Sequence, residues 1–194
     1  MGVSGHKKKA PKKISIGIVT ASSTRSIKED DSGKWMAKRA KKEGQVVVYH
    51  RVVADVAESI AGAIREAIAT HGAQVILLTG GTGITAKDVS IEAVAPLFTK
   101  ELTAFGPLFS QLSYEQIDSA AIMSRATAGV VGNKAVVFCM PGSLKACKLA
   151  CKALIFPELG HIAKHIGEDP ETSEMANEAA TENSIGQDPL SKLE

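Results

Sequence analysis

The stretch Ile76-Leu77-Leu78-Thr79-Gly80-Gly81-Thr82-Gly83-Ile84-Thr85-Ala86-Lys87-Asp88-Val89-Ser90 concentrates the residues best suited to chemistry. An apolar run passes into three glycines and two threonines, and then into a helix-start pattern. If the run is a buried strand of a parallel sheet, the glycines lie at its carboxyl end, where backbone N–H groups and a helix dipole face a bound anion. Glycine lets a phosphate approach the main chain because no Cβ intervenes. The competing reading is a tight strand-to-helix turn that binds nothing. Two familiar phosphate motifs do not fit. A P-loop ends in Gly-Lys-Ser/Thr, whereas Ala86-Lys87-Asp88 supplies neither the glycine nor the hydroxyl. Gly81-x-Gly83-x-x-Ala86 matches the dinucleotide fingerprint by letters, but no second strand ending in an acid follows it.

Two carboxylates accompany the loop. Asp88 suits the holding of Mg²⁺ against a polyphosphate, or the orienting of an attacking group. Equally, Thr85-x-x-Asp88 reads as a capping box whose carboxylate accepts a backbone N–H. Asp55 carries the same ambiguity: Asp55-x-x-Glu58 caps the next helix, yet the residue ends a strand on the sheet edge that also holds Asp88. Met140-Pro141-Gly142-Ser143 runs from strand end to helix start and is either a second anion site or a capped turn. His161 and His165 have the one-turn spacing of a metal pair, but no Glu or Cys completes a set nearby, which favours a helix-end pair.

These residues need elements to position them. Strand-like runs appear at 14–20, 45–53, 74–79 and 134–140. Asp31-Ser32-Gly33 opens a helical stretch to Lys42 that stops at Glu43-Gly44. Val56, Ile60, Ile64 and Ile68 recur every fourth residue, giving one apolar helix face that ends at His71-Gly72. Helical patterns follow at 86–98, 107–112 and 114–125, and a last helix runs from Ser143 to about His165, turning Leu144, Cys147, Cys151, Leu154 and Ile155 inward. Gly132-Asn133 reads as a hairpin turn. Near-continuously apolar strands alternating with helices predict an α/β fold: a doubly wound, mostly parallel sheet with helices on both faces and a small hairpin.

Composition narrows the classes further. The chain has 194 residues, 44% of them hydrophobic, enough for one well-filled core. Its net charge of +2 does not require a nucleic acid or a membrane, and with 4% aromatics and Trp35 as the one tryptophan, base stacking is a poor expectation. Charge gathers at the ends. Residues 1–13 hold five lysines and read as a basic flexible tail; residues 168–194 hold eight acids against Lys192 and read as an acidic, disordered one. The domain between them spans 14–167. No apolar run reaches the roughly 18 residues of a membrane span. The lysines before the 14–21 run imitate a signal peptide, but that run is short and glycine-interrupted, so a first buried strand is the better reading. Cys139, Cys147 and Cys151 lack metal-type spacing and read as buried thiols, as expected of a cytoplasmic protein.

Taken in order, Ser22-Ser23-Thr24-Arg25, Asp30-Asp31-Ser32-Gly33, Leu77-Leu78-Thr79-Gly80-Gly81-Thr82-Gly83 with Asp88-Val89, Phe105-Gly106, Leu112-Ser113, Ser124-Arg125-Ala126 and Met140-Pro141-Gly142-Ser143 resemble the MoaB/MogA family of molybdenum-cofactor biosynthesis, which includes the gephyrin G domain. The resemblance covers about residues 14–165. It implies molybdopterin adenylyltransferase chemistry, in which the terminal phosphate of molybdopterin attacks the α-phosphorus of Mg-ATP and pyrophosphate leaves. By position, Asp55 and Asp88 match the family's functional aspartates, with Asp88 the Mg²⁺ partner. Thr79 and Gly80, Gly81, Thr82 and Gly83 would cradle phosphate, while Ser22, Ser124, Pro141, Gly142 and Ser143 match pocket-lining positions. Many members place Glu and then Arg after Phe-Gly, where this chain has Pro107 and Ser110. The resemblance also implies a homo-oligomer, trimer or hexamer. The alternative function is a non-catalytic molybdopterin carrier of the same pathway, with the charged tails docking on other cofactor-biosynthesis proteins.

Overall fold

The structure is a computed structural model that describes residues 13–167. The basic start, apart from Lys13, and the acidic tail lie outside the described residues. Six strands, β1 (Ser15–Ala21), β2 (Val46–Val53), β3 (Val75–Thr79), β4 (Phe98–Glu101), β5 (Thr127–Val131) and β6 (Ala135–Met140), form one sheet in the order β2-β1-β3-β6-β5-β4. The helices are α1 (Asp31–Lys42), α2 (Ala57–Ala69), α3 (Ser90–Val94), α4 (Phe105–Ile117), α5 (Leu144–Ala150) and α6 (Leu159–Gly167). β1, β2, β3 and β6 run parallel, β5 returns antiparallel beside β6, and the edge strand β4, antiparallel to β5, runs the same way as the other four. The α/β expectation therefore holds.

The apolar strands follow from burial on both faces. Ile16 and Ile18 of β1, Val75 and Leu77 of β3, and Val136, Phe138 and Met140 of β6 point to one side, where they meet Met36 of α1, Phe109 of α4, Cys147 of α5 and Leu159 of α6. Their neighbours Val19, Ile76, Leu78, Val137 and Cys139 point to the other and meet Ile60, Ala63, Ile64 and Ala67 of α2 and Val94 of α3. Alternation exists, but both sets are apolar because helices cover both faces.

Three expectations need correction. Helix does not fill 86–98: α3 has five residues, Pro96 stands in a single 3-10 turn, and Phe98–Glu101 is the edge strand β4. Phe98 lies over Gly129 of β5, where any side chain would collide with its ring. The 107–112 and 114–125 patterns are one helix, α4, followed by a 3-10 segment at Asp118–Met123. Pro107 is tolerated in the first turn of α4, where its missing N–H has no intrahelical partner. The last helix is also interrupted. Pro157 cannot donate to the preceding turn, and the chain passes through a π turn at Cys151–Ile155 and a 3-10 turn at Phe156–Glu158 before α6. Of its expected inward residues, Cys147, Cys151 and Ile155 are fully buried, Leu154 is partly so, and Leu144 packs into neither core cluster. Gly132 and Asn133, both at positive φ, are the central residues of the turn that joins β5 to β6; Lys134 N donates to Val131 O at 3.1 Å, and three residues separate the paired Val131 and Ala135. Among the described residues no helix is long and apolar enough to cross a membrane.

Candidate functional site

From β1 the chain moves to one side, to β2, and then back across to β3 on the other. This reversal opens a crevice at the strands' carboxyl ends. A cleft of about 410 Å³ lies there. Its floor is main chain from the ends of β1 and β3. Gly80 has φ +93° and lies so close to Ala21 O that a Cβ would collide with it; Gly81, at φ +60°, would bring a Cβ to 2.6 Å from Ser90 Oγ. Only glycine fits both demands at these positions. Ser90 Oγ is buried and has no hydrogen-bond partner.

The cleft is lined by Ser22, Asp55, Gly80, Gly81, Thr82, Gly83, Asp88, Ser124, Pro141, Gly142 and Ser143, which the chain supplies from five separate segments. Thr79 does not line it. Its side chain is fully buried, and its hydroxyl donates to Pro141 O at 2.9 Å, tying the end of β3 to the turn after β6. Thr24, Arg25 and Met123 also line the cleft, although no role was expected of them.

The two carboxylates are held differently. Asp55 does not cap α2, whose N-cap is Val56 with no side-chain bond. Instead its Oδ2 accepts from Ser23 N at 2.7 Å while its own N–H donates to Ser23 Oγ at 3.1 Å, pinning the loop after β1 to the loop after β2. Asp88 does make the local bonds of a capping box: Oδ2 accepts from Thr85 N at 2.9 Å and from Thr85 Oγ1 at 2.6 Å. No helix follows directly, however, because α3 begins at Ser90. The loop therefore lacks the helix dipole expected of it. Hydrogen bonds from the Thr85 hydroxyl and N–H hold the Asp88 carboxyl below the usual aspartate range, with further help from the Gly83 N–H and the Arg125 charge against a smaller opposing effect of burial. Ser143 caps α5, its Oγ accepting from Ala146 N at 3.2 Å.

The charged residues lining the cleft are Asp55, Asp88 and Arg25, a net charge of −1. A polyphosphate entering such a cleft needs a cation. Among the described residues no three His, Cys, Asp or Glu side chains gather to hold a metal alone. Two carboxylates without a closed cage fit Mg²⁺, which is commonly bound by one or two carboxylates together with substrate phosphates. The paired His161 and His165, 2.9 Å apart through their Nε2 atoms, lie on α6 and take no part in the cleft.

The family described as "Probable molybdopterin binding domain" matches residues 14–161. The chain belongs to the MoaB/MogA family. It is 47% identical over 163 residues to molybdenum cofactor biosynthesis protein B of Bacillus anthracis, covering 84% of this chain and 96% of that one. It is 42% identical over 173 residues to the molybdopterin adenylyltransferase of Pyrococcus furiosus, covering 87% of this chain and all of that one. Among solved family structures, a molybdenum cofactor biosynthesis protein B superposes with a TM-score of 0.79 at 43% identity, covering 83% of this chain and 100% of that one. The tungsten cofactor synthesizing protein MoaB of P. furiosus gives 0.75 at 40% identity, covering 82% and 100%. Within the MoaB/MogA fold, the signature glycines and both aspartates meet in one cleft at the sheet's crevice.

Proposed function

We propose that this chain is a molybdopterin adenylyltransferase of molybdenum-cofactor biosynthesis, transferring AMP from Mg-ATP to the terminal phosphate of molybdopterin. The observation that carries this is the convergence of a side-chain-free glycine floor with two carboxylates, Asp55 and Asp88, in one cleft at the sheet's crevice. The P. furiosus relative bearing that activity in its name supports it.

In this reaction an oxygen of the molybdopterin phosphate forms a bond to the α-phosphorus of ATP, and the bond from that phosphorus to the β-phosphate oxygen breaks with loss of pyrophosphate. Both reactants are anions, so the work of the protein is positioning and charge neutralisation. Gly80, Gly81 and Gly83 take phosphate against the main chain. Arg25 meets negative charge at the rim. Asp88 holds Mg²⁺ with Asp55 as the second carboxylate, and the metal when bound neutralises the polyphosphate. A second cavity of about 350 Å³ shares Ser124 and Ser143 with the cleft and is walled by Phe109, Ile117 and Leu149, giving room for the ring system of one substrate. Pro141, Gly142 and Ser143 complete the wall on the β6 side.

Incubation of the protein with molybdopterin, ATP and Mg²⁺, followed by chromatography, yields adenylylated molybdopterin on this reading, and the rate of product formation falls by orders of magnitude with Asp55→Asn and with Asp88→Asn, to a residual level still measurable at high enzyme concentration. Molybdopterin that is bound but never adenylylated by the unaltered chain identifies a carrier instead. Cytoplasmic location and self-association as a trimer or hexamer belong to the same proposal. Ile122, 84% exposed, and Tyr114, 59% exposed, are apolar side chains that an interface would cover.

A further inference from the structure

Arg125 follows Ser124 on the cleft wall, yet its guanidinium turns away toward the loop that carries Asp88. Nε donates to both Thr82 O and Gly83 O at 3.0 Å, and Nη2 donates to Asp88 O at 3.3 Å. Nη1 and Nη2 reach Glu92 of α3 at 2.6 and 3.3 Å. One planar group thus joins both ends of the 82–88 turn to the helix after it. The turn has few other ties. Within it the Asp88 carboxylate takes bonds from Thr85 and support from the Gly83 N–H, and Ser90 N donates to Gly81 O just outside it.

The geometry points to Arg125 as a positioning residue for the proposed adenylyl transfer, an inference that rests on that reading: by binding three main-chain carbonyls it fixes the turn that presents Asp88 to the cleft. The three carbonyls lie on residues 82, 83 and 88, so the main chain from which the Asp88 carboxylate projects cannot shift without breaking bonds to the guanidinium. A Cβ at Gly83 would stand 2.9 Å from Asp88 Oδ2, so the carboxylate rests directly on the main chain that Arg125 holds. Glu92 orients the guanidinium through two contacts. Lysine keeps the charge but lacks the planar fork, and it cannot serve these acceptors together.

The test is a double-mutant cycle in single-turnover transfer, combined with hydrogen exchange. Arg125→Gln is expected to lower the rate about tenfold to hundredfold, the size of effect that a small misplacement of a reacting group produces, with the KM for ATP nearly unchanged. Arg125→Lys is expected to recover little. In an Asp88→Asn background, Arg125→Gln is expected to cost almost nothing more, because Arg125 acts through Asp88. Amides of residues 82–88 exchange faster in Arg125→Gln while the central strands stay protected. Full additivity of the two substitutions, recovery by lysine, or unchanged exchange at 82–88 each overturn the proposal. If the unaltered chain makes no adenylylated product, the adenylyl-transfer reading fails, and the exchange data still decide whether Arg125 fixes the turn.

Discussion

Asp88 and Asp55 differ in what holds them, Thr85 for the first and Ser23 for the second. Asp88 is held ionised by Thr85 and contributes charge to the cleft, so Asp88→Asn, which keeps the shape, is expected to reduce transfer by orders of magnitude while molybdopterin still binds. Binding measured beside turnover checks this, and equal loss of both would count against a metal-holding role. Arg25 is the one cation lining the cleft among the described residues. Arg25→Ala should therefore raise the KM for ATP by about tenfold or more with an unchanged melting temperature, since a charge-assisted contact to phosphate contributes about 1.5–3 kcal/mol. The glycines and both aspartates were legible in the sequence because strand ends and turn residues place them on one edge. The position of Thr79 at the strand end did not reveal that its hydroxyl points into the protein toward Pro141. Arg25 and Arg125 stood in segments that mark the family, but no spacing rule brings residue 125 to residue 88, because β4, α4 and the 3-10 segment intervene.

At the scale of the element, α1 depends on one buried acid. Asp30 is its N-cap, accepting from Gly33 N at 2.8 Å with Oδ1, while Oδ2 accepts from Thr20 Oγ1 at 2.8 Å and contacts His50 Nε2 at 2.8 Å. Burial alone would raise its pKa. The bonds from His50, the Gly33 N–H and Thr20 outweigh burial and hold the carboxyl below the usual aspartate range. A folded-state pKa below the unfolded value of about 3.9 gives stability that is present above that value and lost as pH falls through the folded one. Urea unfolding should show this loss below about pH 4. Asp30→Ala should cost about 2–3 kcal/mol at neutral pH and flatten that dependence. The sequence indicated where α1 begins from Asp31-Ser32-Gly33, one residue past the cap. It did not indicate β4, because Phe98-Thr99-Lys100-Glu101 is a four-residue edge strand whose polarity suits solvent and whose pairing with β5 is not local.

For the whole molecule, covering both sheet faces leaves no thiol accessible. Burial raises the pKa of Cys139, Cys147 and Cys151, so all three should resist Ellman's reagent in the native protein and react together once it is unfolded. Light scattering should give three or six times the chain mass of 20.3 kDa, and a single-chain mass would count against the trimer or hexamer. The doubly wound architecture was readable because strand and helix periods alternate along the chain, whereas the antiparallel run of β5 between β6 and β4 was signalled only by the Gly132-Asn133 turn.

The cleft floor has one more implication. Where Gly80 presses on Ala21 O, the surface that would meet phosphate in the proposed reaction is peptide, identical in composition whatever side chains surround it. Mutation can abolish that surface but cannot grade it. On the proposed reaction, substitutions that tune substrate preference should therefore act at side chains lining the cleft, such as Thr24, Arg25, Met123 and Ser124, while those at the glycine floor should abolish anion binding outright.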